Sequence, residues 1–445
     1  MLFLRSESGR DAVNSLWAYD VAARVETKIA DPRILLAVAG DIPDAERARR
    51  ERMRETTSGI TSYSSDASGT KVIFALSGKL FAGQVVTKDF VELEVPQPVI
   101  DPKLAPDGSR IAWSNGKDML ICDFDGGNVI NLTNESAENI CWGLSDFIAA
   151  EEFDRMSGYW WSPESDELIV ERTDDAQVQT WWISDPATPQ KPPNEIRYPA
   201  AGTRNAVLGL ARITLAGEKV AINWDHDSFE YLISVSWQKD CDALLTVADR
   251  AQQNFVTYAL TSSDLKIVHE VTDHEFVEVI PGQPRWHDSE IVSVIDNRQT
   301  DTRELQLAGK AITPQGFQVM SVIDVTPEYI DVVATSDAVS RDVVRVGYDG
   351  SLTELAQGGV AGATSTTGEL QILIESRLDT HSRTYQLRRG TKTEHYFDSL
   401  AEAPSFQPQV HQLKTGPNLV NTAVIFPRDH VVGSQKLPVM MRPYG

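Results

Sequence analysis

The chain has 445 residues, 41% of them hydrophobic and 24% charged, which supplies ample material for a packed core and excludes general disorder. Its 41 basic and 64 acidic residues leave a net charge of −23, which argues against nucleic acid or an anionic membrane as a main partner, because both call for a basic surface. No apolar run approaches the roughly 20 residues of a membrane span. The opening Met1-Leu2-Phe3-Leu4-Arg5 is too short and too soon charged for a signal peptide, and three cysteines without Cys-x-x-Cys spacing fit a reducing, cytoplasmic compartment.

In chain order, Leu2-Phe3-Leu4 reads as a mid-sheet strand whose preceding turn is missing. Residues 43–55 read as a helix, with Glu46–Arg50 and Arg47–Glu51 as i,i+4 pairs. A hairpin unit then recurs: a Ser/Pro/Asp/Gly turn, a strand rich in Val, Ile, Phe and Trp, a tight turn and a second strand. It appears at 65–83 around Ser77-Gly78, at 105–127 around Asn115-Gly116, and at 162–183, where Val178–Ile183 reads as the second strand. Between the last two, residues 143–152 place Leu144, Phe147 and Ile148 at helical spacing, so a short helix is expected to interrupt the β pattern. A weaker copy runs from Ser236 to Arg250, and Tyr348-Asp349-Gly350-Ser351 has the look of another such turn. A spacing of roughly 40–50 residues matches propeller blades, with a two-sheet sandwich as the alternative. After Pro404 and Pro408 come two further expected strands, at 420–427 and at 437–445.

Phosphate-loop, dinucleotide-binding, zinc-peptidase and nucleophile-elbow motifs do not occur in the sequence, and the eight histidines form no interpretable pairing. The segment with the most specific chemistry is Glu151-Glu152-Phe153-Asp154-Arg155, leading into Gly158-Tyr159-Trp160-Trp161-Ser162-Pro163. An acidic doublet alone means little: 64 acidic residues in 445 give about nine by chance. In this context the run resembles the dipeptidyl peptidase IV family, in the prolyl oligopeptidase group of serine peptidases, and looks closest to its cytoplasmic branch. Supporting stretches follow in the family's order: Arg50-Glu51-Arg52-Met53-Arg54 before Gly59-Ile60-Thr61-Ser62-Tyr63, Arg197-Tyr198-Pro199 with Ala201-Gly202-Thr203-x-Asn205, Asp249-Arg250, and Leu437-Pro438 to Tyr444-Gly445.

The resemblance implies an all-β fold: a β-propeller of about seven to eight blades over residues 1–403, incomplete at its N-terminus, and then, over 404–445, a linker and the first strands of an α/β-hydrolase domain. It implies a part of a serine dipeptidyl peptidase that gates access and anchors the N-terminus of peptides, releasing dipeptides with Pro or Ala second. A free α-amino group has a pKa near 7.7–8.0, so it is mostly cationic at neutral pH, and two carboxylates can hold it at a set distance from the nucleophile. Glu151 and Glu152 match that pair. Adjacent strand residues point to opposite faces, so both can serve one cation only from a helix or irregular turn.

Arg54 matches the arginine that binds the carbonyl between the first two substrate residues, with Arg52 as the fallback if the register slips. Tyr444 matches the tyrosine that completes the oxyanion hole. Trp160 and Trp161 read as blade core. The Ser, Asp and His of the triad match nothing in the chain, so it is expected to be inactive alone. Implied partners are peptides with a free N-terminus, the hydrolase domain and, in the full enzyme, a second copy of the chain. No metal, cofactor, nucleic acid or membrane is implied. The rival readings are a non-catalytic propeller that binds proteins or peptides, and a related peptidase that acts on longer oligopeptides.

Overall fold

Aspartate and glycine turns fold the chain into a series of short antiparallel meanders. The computed structural model describes residues 1–36, 42–261, 264–365, 370–378, 380–400 and 402–442. Among these, eight sheets of four or five strands follow one another along the chain, with two separate two-stranded hairpins. The second sheet shows the pattern: Ser64–Ser65, Lys71–Leu76, Lys79–Gln84 and Phe90–Leu93 pair in sequence order. Its central turn needs left-handed backbone at both positions, and Ser77 and Gly78 have φ of 51° and 75°. The third sheet (Ile100–Leu104 to Ile130–Asn131), fifth (Tyr231–Ser236 to Leu265–Thr272), sixth (Arg285–His287 to Lys310–Ala311), seventh (Gln318–Val325 to Leu352–Ala356) and eighth (Val360–Ser365 to Lys392–Phe397) repeat it.

The recurring polar turn has a physical reason. Asp66 accepts from the backbone N–H groups of Thr70 and Lys71, each at 2.8 Å. Ser162 Oγ does the same for Asp166 (3.0 Å) and Glu167 (3.3 Å), and Asp249 for Gln253 (2.8 Å) and Asn254 (3.1 Å). One side chain thus satisfies the two N–H groups that open the next strand. The turns also join each other: Ala67 N–H donates to the Pro106 carbonyl at 2.8 Å, and Asp107 N–H donates to Ser165 Oγ at 3.1 Å.

Met1–Asp296 with Gln306–Lys310 forms one compact unit, and Asn297–Leu305 with Ala311–Gly445 another. In the first unit, apolar residues fill the space between consecutive sheets. Ile73 and Leu80 of the second meet Ile111, Trp113 and Leu120 of the third, and Ile121 of the third meets Leu168 and Val170 of the fourth. In the second unit, Val333, Val343 and Leu355 of the seventh sheet pack with Val360 and Leu373 of the eighth. Each fully buried side chain of this kind contributes roughly 1.5–3 kcal/mol.

Among the described residues three short helices depart from the β pattern: α1 (Pro32–Leu35), α2 (Asp44–Arg52) and α3 (Phe147–Glu152). The helix expected over 43–55 is therefore shorter. Arg54 lies past its end in left-handed backbone (φ 53°), and Arg47 pairs with Asp44 (3.2 Å), while Glu46 and Arg50 do pair, at 2.8 Å. The helix expected over 143–152 begins only at Phe147. Gly143 is left-handed (φ 79°) and Asp146 caps the helix, accepting from Ile148 N–H at 2.9 Å and Ala149 N–H at 3.3 Å.

Two strand assignments need correction. Thr180–Ile183 pairs with Asn194–Arg197 in a separate hairpin, and the true partner of Glu167–Asp174 is Val207–Thr214. Residues 437–442 form no strand, because none of the described residues pairs with them; Val439, Met440 and Met441 are exposed. The strand expected at 420–427 exists as Val420–Phe426, paired with Gln409–Thr415.

Asp66 yields a pH-dependent prediction. Burial pushes its carboxyl up, but hydrogen bonds from Ser68, Lys71 and Thr70 outweigh this and hold it below the usual value. A lowered native pKa stabilises the fold above the unfolded value of about 3.9, and the contribution disappears as pH falls through the native value. Asp66→Asn should cost about 1 kcal/mol at neutral pH, and the gap from wild type should close below about pH 4, as measured by denaturant unfolding across pH.

Candidate functional site

The first strand of the fourth sheet is split. Ile140–Trp142 and Tyr159–Trp161 both pair with Glu167–Asp174, covering Arg172 to Asp174 and Leu168 to Val170 respectively. Glu171 faces the gap. Gly143 N–H donates to its carbonyl (2.9 Å), and its own N–H donates to the Gly158 carbonyl (2.8 Å). Between these two glycines the chain leaves the sheet and returns, carrying α3. The neck is tight: a Cβ on Gly158 would sit 2.4–2.7 Å from Leu144 backbone atoms, and one on Gly143 would sit 1.9 Å from Met119 Sδ.

The interior of this excursion is charged. Arg155, Glu171 and Asp146 are all buried. Arg155 Nη1 donates to Glu171 Oε2 and to the Ser157 carbonyl (3.0 Å), Nη2 to Asp146 Oδ1 (3.3 Å), and Nε to the Leu232 carbonyl (3.3 Å). Asp146 N–H donates to Glu171 Oε1 at 3.1 Å. Burial pushes both carboxyls up; the guanidinium opposes this without cancelling it. Phe153 anchors the far end of α3 among Ala149, Ile233, Ala248, Phe255 and Val277.

Glu151 and Glu152 occupy the last turn of α3, and both are exposed. Successive helical residues stand about 100° apart around the axis, so both carboxylates can serve one ligand, unlike strand neighbours. No basic residue shares that last turn. The two carboxylates therefore add to the negative end of the helix and favour a cation there. Arg52, at the end of α2, approaches Glu151 at 3.7 Å and lies 5.1 Å from the Phe147 ring centroid. Arg54 is exposed, and its guanidinium has no hydrogen bond or ion pair among the described residues. Arg49 fixes α2 through Asp101 (2.9 Å), whose other oxygen accepts from Ser157 Oγ (2.7 Å). Tyr444 lies outside the described residues.

Beside these helices is a cavity of about 550 Å³, lined by Arg49 and Arg52, by Asp146, Phe147 and Ala150, by Cys141, Thr173 and Asp175, and by Glu195 to Arg197 of the hairpin. Glu151 and Glu152 do not line it. Phe147 stacks edge-on against Tyr198 (5.2 Å), which in turn meets Trp181 (5.2 Å). Trp161 is buried and Trp160 packs against the apolar cluster between the fourth and fifth sheets, so both serve as blade core. Sequence reasoning missed Asp146 and Glu171. The Ser145-Asp146 pair before Phe147 was a readable capping signal; Glu171, inside a strand, gave none.

The sequence matches the family described as Dipeptidyl peptidase IV (DPP IV) N-terminal region over residues 66–352. This chain belongs to the dipeptidyl peptidase IV family. Human dipeptidyl peptidase 8 is 30% identical over 187 residues, covering 36% of the chain and 21% of that protein. The Aspergillus clavatus protein described as probable dipeptidyl-aminopeptidase B is 22% identical over 430 residues, covering 82% and 47%. The chain thus spans less than half the length of these curated relatives. The crystal structure of Porphyromonas gingivalis dipeptidyl peptidase 4 superposes with a TM-score of 0.73 at 16% identity, covering 96% of the chain and 65% of that one. The fold is accordingly a β-propeller, and the eight sheets are its blades.

Among the described residues no helix is long and apolar enough to cross a membrane, and no group of three or more metal-ligating side chains gathers. Burial pushes the thiols of Cys122 and Cys141 up to about 12, and acidic neighbours add to this. Burial raises the Cys241 thiol less far, so iodoacetamide at pH 8 should modify Cys241 first and leave the other two intact until denaturant is added, as read by mass spectrometry.

Proposed function

We propose that this propeller region anchors the N-terminus of peptide substrates in a serine dipeptidyl peptidase that releases Xaa-Pro or Xaa-Ala dipeptides, and gates their access. The observation that carries this reading is the acidic pair on the last turn of α3, two adjacent carboxylates with no cation in their own turn. Glu151 and Glu152 grip the substrate ammonium, which fixes the scissile bond two residues away. Arg52 steadies Glu151. Arg54, unengaged among the described residues, orients the carbonyl between the first two substrate residues. In the full enzyme, residues 404–445 lead into a hydrolase domain that supplies the Ser, His and Asp, and Tyr444 donates to the oxyanion.

The test uses the full-length enzyme and a chromogenic dipeptide substrate. Glu151→Gln and Glu152→Gln should each lower kcat/KM about 10- to 100-fold, as expected for a lost contact to a charged group. Undiminished dipeptide release by both variants would refute the anchoring role. Because the ligand must be an ammonium, KM for the wild type should rise as pH passes the substrate amine pKa, near 8.

A further inference from the structure

We infer that Arg155 is a positioning residue for the carboxylate pair: it sets where Glu151 and Glu152 stand by clamping both ends of α3. The inference rests on the anchoring reading above. Glu151 and Glu152 are exposed, and the contact that holds Glu151 is the 3.7 Å approach of Arg52. Their placement therefore depends on the helix backbone beneath them. That backbone is fixed at its start by Asp146, whose carboxylate caps Ile148 and Ala149 and receives Arg155 Nη2. Past its end, Arg155 N–H bonds to the Ala149 carbonyl at 3.0 Å, and the guanidinium reaches Glu171 in the strand gap and Leu232 in the next blade.

One planar cation thus ties the helix start, the returning chain, the interrupted sheet and the neighbouring sheet together. A lysine offers one point charge without the fork and cannot make these contacts together. Recognition that depends on distance is sensitive to displacements of about 1 Å in such a support.

Full-length enzyme is assayed as wild type, Arg155→Lys, Arg155→Met and Asp146→Asn. The last variant retains a helix cap and weakens only the contact to Arg155. Two readouts separate positioning from general damage. One is the inhibition constant of a dipeptide-like inhibitor with a free α-amine, set against its des-amino analogue. The other is the rate at which a fluorophosphonate labels the active serine.

Arg155→Met should weaken the amine inhibitor about tenfold, the size of one charge-assisted contact, and leave the des-amino analogue and the labelling rate unchanged. Arg155→Lys and Asp146→Asn should show the same selective loss, smaller in size. Equal weakening of both inhibitors, or no weakening, overturns the proposal. If the Arg155 variants fail to fold, Asp146→Asn decides alone: indifference to the amine refutes the clamp. Glu152→Gln is run alongside. If it too leaves amine preference intact, the anchoring reading fails; if it abolishes the preference while the clamp variants keep it, only the clamp fails.

Discussion

A carboxylate cut off from water must find a cation and donors inside the protein, and Glu171 is that carboxylate here. It occupies the one position of its strand left open between two half-strands. Most of what satisfies it comes from the segment that fills the gap: the Arg155 guanidinium, the Asp146 N–H, and the backbone of Gly143 and Gly158; Thr173 Oγ1 of its own strand adds a donor at 3.4 Å. Neutral side chains of similar volume could stabilise such a core equally well. What the charged version contributes is direction, since a guanidinium between two carboxylates tolerates few arrangements.

The same segment treats its other acids in the opposite way. Glu151 and Glu152 stand in solvent at the end of a helix that does not neutralise them. The interior holds its charges in a closed set, whereas at the surface, among the described residues, Glu151 meets only the 3.7 Å approach of Arg52. That contrast, within one short excursion, separates buried, fully paired carboxylates from exposed ones. The net charge of −23 adds a long-range field that draws cationic groups toward such an acidic patch.

Legibility in the sequence followed how local each signal was. The blade turns were readable because one Asp or Ser and one or two left-handed residues determine them. The helix carrying the acidic pair was readable, but its start was set too early, because the apolar spacing from Leu144 masked the capping signal of Asp146. Thr180–Ile183 has the aromatic, β-rich composition of a blade strand, and composition does not say which strand is the partner. Leu437 to Met441 shows the same ambiguity: strand propensity without a pairing partner among the described residues. Family likeness singled out Glu151, Glu152 and Arg54. It was silent on Arg155's partners, since Glu171 is distant enough in sequence that only folding brings the two together.

The hairpin of Thr180–Ile183 and Asn194–Arg197 leaves the fourth blade between two strands that bond directly to each other. It carries Trp181 and Trp182 on opposite faces, 44% and 63% exposed. Because Glu167–Asp174 and Val207–Thr214 keep their alignment whatever lies between them, this arm can lengthen, shorten or change its chemistry without shifting a single rung of the blade. Natural variation can thus reshape the rim beside the acidic helix while the ring beneath it stays fixed.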